Sequence, residues 1–156
     1  MMVTQIAVGR EMDCLVAEKV MGWRVERLRP SWYPVEVLCF YEEWSRNISY
    51  TYDERSCNAM LYRNGVDDSN GTAPPLPQFS EDIAATWTVV ERLQEQGWHL
   101  SLEHLRVVWV PITSDITEGE WCWRARFWKG DPTGVSAVEH DHTNMEAAIC
   151  HAALKV

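Results

Sequence analysis

The stretch PQFSEDIAATWTVVERLQEQGW, residues 77–98, decides how the rest of the chain reads. Ser80 is a good N-cap, Glu81 and Asp82 complement the positive end of a helix dipole, and Ile83, Trp87, Val90 and Leu93 recur at i, i+4, i+7. Gly97 supplies a stop. These signals predict a helix over residues 81–96 that buries Trp87 in the core.

Upstream, GREMDCLVAEKVMGW at residues 9–23 places Met12, Leu15, Val16, Lys19 and Val20 at helical spacing, with Gly22 where a left-handed C-cap would sit. A helix over 11–21 follows. Downstream, TNMEAAICHAALK at residues 143–155 pairs Thr143 with Glu146 as a capping box, and Met145, Ala148, Ile149, Ala152 and Ala153 give it a narrow small-residue face. Such a helix can lie flat on a sheet, with Lys155 favourably placed at its C-terminal end.

Between the helices the period changes to two. Residues 23–28 alternate Trp, Val and Leu with Arg and Glu, residues 35–41 are β-rich, and residues 48–52 alternate apolar side chains with Ser and Thr. The stretch 64–77 concentrates Gly, Asp, Asn and Pro and reads as a long surface loop within one domain. Residues 105–112 are rich in Val and Ile and close at Pro111, and residues 121–128 put Trp121, Trp123 and Phe127 on one face. The turn residues 114–120 pair these two antiparallel, and residues 135–139 add a short strand. The result is an α/β (α+β) chain of three helices and a mainly antiparallel sheet, arranged as a three-layer α/β/α sandwich in a single domain, 1–156.

Composition narrows the function. With 156 residues, 46% hydrophobic and 24% charged, the chain has the usage of an ordinary folded domain, long enough to bury roughly 70% of its unfolded surface. A net charge of −9 opposes direct binding to nucleic acid, which needs a clustered cationic surplus, and fits a basic protein partner. Five cysteines without a C-x-x-C pair suit a reducing cytoplasm, and no apolar run approaches the ~18 residues of a membrane span.

GREMDCLVAEKVMGW, FSEDIAATWTVVERL, WRARFW (123–128) and AAICHAAL (147–154) together resemble the phage ABA-sandwich domain family, small proteins of phages and prophages. The resemblance implies an α/β/α fold and a phage origin, and it carries no activity. The segment 24–76 lies outside those matching stretches and reads as a variable region, where a function particular to this chain is expected.

Four groups of residues invite chemistry. Trp32, Tyr33, Tyr41, Trp44, Tyr50 and Tyr52 make the middle segment dense in aromatics, either as an elaborated core or as an interface. Arg24, Arg27, Arg124 and Arg126 could hold a small anion such as a phosphorylated nucleotide, against the plainer reading that they pair with nearby acids. His140 and His142 in EHDH would point the same way in a strand, and with Glu139 or Asp141 could hold a metal, yet a full ligand set needs Cys150 or His151 brought back by the last helix. Cys14 and Cys150 sit on apolar helix faces and read as buried small hydrophobes. Phosphate-loop, dinucleotide, nucleophile-elbow and zincin motifs do not occur in the sequence. The expectation is therefore a phage accessory protein without cofactor or membrane contact, which binds a host or phage protein, in the sharpest form as a counter-defence inhibitor. Nucleotide sequestration and a metal-dependent enzyme using His140 and His142 are the alternatives, and self-association is left open.

Overall fold

The computed structural model describes residues 7–29, 36–43, 45–46, 48–52, 74–108, 118–131 and 138–156. Its elements run α1 (Arg10–Lys19), β1 (Arg24–Leu28), β2 (Val37–Tyr41), β3 (Tyr50–Tyr52), α2 (Ile83–Glu95), β4 (His99–Arg106), β5 (Trp121–Trp128), β6 (Val138–His142) and α3 (Met145–Ala153). Among the described residues, three helices and two antiparallel three-stranded sheets, β1-β2-β3 and β4-β5-β6, make the mixed α+β fold that the sequence pattern indicates. Among the described residues two strands, β2 and β3, stand between β1 and α2, where the sequence suggested additional β structure.

The chain folds as two compact units, Ala17–Pro77 and the combination of Met1–Val16 with Gln78–Val156. In the first, β2 is the central strand, and Val37, Cys39, Tyr41 and Ile48 form a buried cluster. Phe40, which alternation directs to the other face of β2, is also fully buried, as expected of a strand covered on both sides. Thr51 of β3 bonds through both its backbone groups to the 74–76 segment, making a short parallel bridge to Pro75.

In the second unit β5 is central. Its register with β4 runs from His99↔Trp128 to Arg106↔Trp121, and its register with β6 from Trp123↔His142 to Phe127↔Val138. Helix α3 packs on β5 and β6 and against α2. It is buried from Ala147 through Ala153 on every side, rather than along the narrow face that its small residues suggested. Its N-cap is Asn144, whose side chain accepts from the Ala147 backbone at 2.7 Å, so the role assigned to Thr143 belongs to its neighbour.

Helix α2 forms where expected but is rotated. Its buried residues are Thr86, Val89, Val90 and Leu93, while Ile83 is 44% and Trp87 47% exposed, so Trp87 is not a core residue. The cause is Thr86. Its hydroxyl donates to the carbonyls of Phe79 and Asp82, which satisfies the polar group and lets it occupy the buried arc in place of an aromatic ring. The cap is likewise displaced: Asp82 accepts from the Ala84 backbone, and Ser80 turns inward.

Both expected glycine stops hold. Gly22 (φ 71°) follows α1, and Gly97 (φ 87°) closes α2 with Trp98 N–H on Leu93 O at 3.0 Å and Gly97 N–H on Gln94 O at 2.9 Å, a Schellman pattern. A Cβ at Gly97 would touch only the flexible Lys129 side chain, so the backbone angle sets the cost of adding one. Gly97→Ala is expected to lower the unfolding free energy by about 1–2 kcal/mol in urea titration.

Strand β4 lies earlier than the sequence suggested, and residues 109–112 and 135–137 of the two expected strands fall outside the described residues. The strand expected over 105–112 begins at His99, two residues after Gly97, and of the short strand expected over 135–139 the described residues lie in β6, Val138–His142. Cys14 is half-buried rather than buried. The expected loop of 64–77 falls outside the described residues up to residue 73.

Candidate functional site

The β4-β5-β6 sheet separates two chemistries. One face carries, by register, Glu103, Arg124 and Asp141 on one rung and Ser101, Arg126 and Glu139 on another. Arg124 donates to both carboxylate oxygens of Asp141, at 2.8 Å each. That bidentate bond, with Glu139 and Glu103 nearby, holds the guanidinium firmly in its charged form and saturates the acceptor it faces. Arg24 and Arg27 of β1 also meet acids, Glu26 at 3.5 Å and Glu36 at 3.0 Å. Arg126 lies opposite Glu139 in the register. Three of the four arginines therefore meet carboxylates at 2.8–3.5 Å, and Arg126 faces Glu139 across the strands.

The opposite face carries aromatic rings. Trp121, Trp123, Ala125 and Phe127 alternate onto it from β5, with His104 of β4 and His140 and His142 of β6 as cross-strand neighbours. Ala125 and Phe127 are fully buried. Toward the other end of β5 the burial stops: Trp121 is 59% exposed although its strand pattern suggested a shared buried face. Its ring is nonetheless held. His104 stacks on Trp123 with ring centroids 4.6 Å apart and tilts against Trp121 at 5.0 Å, so the three rings form one column. Val108, just past the end of β4, is 82% exposed.

At the β6–α3 junction the same face carries a histidine cluster. His140 and His142 do point the same way, and α3 does return His151 to them: the His140 and His151 rings stack at 4.2 Å, and His142 lies 5.9 Å from His151. Lys155 donates to the Glu139 carbonyl at 2.8 Å and lies 3.2 Å from His140 Nδ1, while His142 Nδ1 accepts from the Asn144 backbone at 3.0 Å. Burial, reinforced by His151, Lys155 and His142, pulls His140 down to about 3, and burial likewise pulls His151 down to about 4. Among the described residues no three His, Cys, Asp or Glu side chains are arranged to hold a metal ion. The cluster is a His140–His151 stack, in an environment that opposes a proton on either ring, with His142 tilted at its edge.

The buried thiols are inert by environment. Cys150 donates to the Phe79 carbonyl at 3.2 Å and burial raises its thiol far above the ordinary range, while burial lifts Cys39 to about 11.

In the middle segment, Trp32, Tyr33 and Trp44 lie outside the described residues. Tyr41 is buried, donates to Glu26 at 3.1 Å, and has the Arg24 guanidinium 4.3 Å over its ring. Tyr50 stacks on Trp23 at 4.8 Å and donates to Glu42, and Tyr52 is half-buried opposite Leu38. Tyr41 and Tyr50 are thus engaged with residues of their own unit. Sequence reasoning missed Trp87, Trp121 and His104 as candidate surface residues, and named His151 only as a ligand that the last helix would have to bring back. His151 had a signal, an ionisable ring inside the apolar run AAICHAAL.

Among known proteins, one family sequence profile, described as the Phage ABA sandwich domain, matches residues 14–154. The match spans residues 24–76, so that segment lies within the family's extent. No curated protein and no solved structure matches the chain.

Proposed function

Because the chain belongs to the phage ABA sandwich domain family, we propose that it is a phage or prophage accessory protein that acts in the host cytoplasm by binding a host protein, in a counter-defence role. The observation that carries this reading is the column of Trp121, His104 and Trp123, in which a tryptophan 59% exposed is fixed by its neighbours. A held ring loses little conformational freedom on docking, and tryptophan is enriched among the residues that dominate binding energy. The net charge of −9 favours a target with a basic rim around the pocket that accepts the ring.

Co-purification from a bacterium carrying the phage tests the proposal. Trp121→Ala is expected to weaken partner binding about 30-fold or more, the effect of losing a hot spot of about 2 kcal/mol, while its unfolding midpoint in urea stays near the wild-type value. The pair Trp44→Ala and Tyr52→Ala examines the middle segment in the same assay, and loss of capture there alone would move the surface. Saturable thermal stabilisation by a nucleotide would instead favour sequestration of a phosphorylated signal.

A further inference from the structure

We propose that His140, His142 and His151, together with Lys155, form a proton-operated latch that holds the C-terminal half of α3 on β6 at neutral pH and releases it on acidification. The geometry opposes a charge on His140 and His151. His140 and His151 are stacked at 4.2 Å, His151 is only 7% exposed, and the Lys155 ammonium stands 3.2 Å from His140 Nδ1. With a cation on that side, Nδ1 of His140 serves as acceptor, and a proton placed there would set two donors against each other.

The charges acting on the two rings come from α3 and β6. On His140 they are His151 and Lys155 from α3, and His142 and Asp141 from β6; on His151 they are His142 and Lys155. Only Asp141 favours the protonated form, and its carboxylate is already engaged by Arg124. From β5, the residues that share this face are Trp123 and Ala125, which are uncharged.

The sign follows. Both folded-state values, about 3 for His140 and about 4 for His151, lie below the ordinary 6.5. The open state therefore binds more protons than the closed one below pH 6.5, and closure weakens as the pH falls from 6.5 toward 4. Each histidine makes opening about tenfold easier per pH unit in that window, so the two together give up to about 100-fold. Ala152 and Ala153, both buried in the closed state, would then meet solvent.

Native-state hydrogen exchange of the full chain between pH 7 and 4.5 reads this directly. In wild type, protection factors of α3 amides should fall by more than tenfold per pH unit below 6.5, and should fall further than those of β4 and β5. In His151→Phe, which keeps a ring for stacking but cannot take a proton, the α3 dependence should drop by about tenfold per unit. Equal loss of protection in α3 and in β4 and β5 at every pH would overturn the latch, because acid would then unfold the unit as a whole. An unchanged α3 dependence in His151→Phe would overturn it independently.

Discussion

Phe127→Ala is expected to lower the unfolding free energy by about 3–5 kcal/mol, the cost of removing a fully enclosed aromatic ring and leaving a cavity. Phe127 is 0% exposed in the central strand β5, between Leu100 of β4 and Val138 of β6. Its face of the sheet is the one that carries His140, and α3 packs on β5 and β6, so the surroundings can collapse little into the space. Urea titration followed by tryptophan fluorescence measures the loss. The comparison with Trp121→Ala, six positions away on the same face, is informative. The exposed ring should cost less than about 1 kcal/mol, so a similar loss for the two variants would contradict the division of β5 into a buried end and an exposed end.

Asp13→Ala is expected to cost about 3 kcal/mol, because it strips the acceptor from a buried network. Asp13 is 0% exposed. One carboxylate oxygen accepts from the Ser80 backbone at 2.8 Å and from the Ser80 hydroxyl at 2.9 Å, and the other accepts from Arg10 at 3.0 Å. The Ser80 hydroxyl also lies 3.3 Å from the Gly9 carbonyl, so α1 is tied to the segment that leads into α2. Burial nevertheless raises the Asp13 carboxyl above its ordinary 3.8, against the hydrogen bonds from Ser80 and the charge of Arg10, which lower it. Raised in the folded state, the group contributes most to stability below pH 3.8 and loses that contribution as the pH rises through its folded value. Asp13→Asn keeps an oxygen for Ser80 and carries no charge, so it should be less destabilising than Asp13→Ala in the same titration. The reverse order would show that the ion pair with Arg10 outweighs the bonds to Ser80.

These two residues show what sequence could convey. Phe127 was legible because β5 is a central strand whose alternation of aromatic and basic residues is strong. Asp13 was not, since its partner lies 67 positions away and an acid in the first turn of a helix already has an explanation in the dipole. The edge strand β4 was misplaced for a related reason. HLSLEHLR carries few of the side chains that mark a buried strand, because strands at a sheet edge keep one side open and tolerate charge. Trp87 illustrates the limit of helical periodicity. The spacing of Ile83, Trp87, Val90 and Leu93 fixed the presence of a helix, but the phase of its buried arc turned on Thr86, whose hydroxyl is satisfied by carbonyls that no periodicity analysis weighs. The candidate surface was hidden in the same way. Trp121 opens the central strand β5, and its exposure depends on where the cover over β5 ends.

Site-specific photocrosslinking in the phage's own host tests the central claim most directly. A benzophenone side chain would be placed at position 121, and in a separate variant at Glu91, an exposed position on α2. The account predicts a single dominant host-protein adduct from position 121, absent or at least tenfold weaker from position 91. Equal labelling at the two positions, or no adduct from position 121, would contradict a binding surface centred on Trp121.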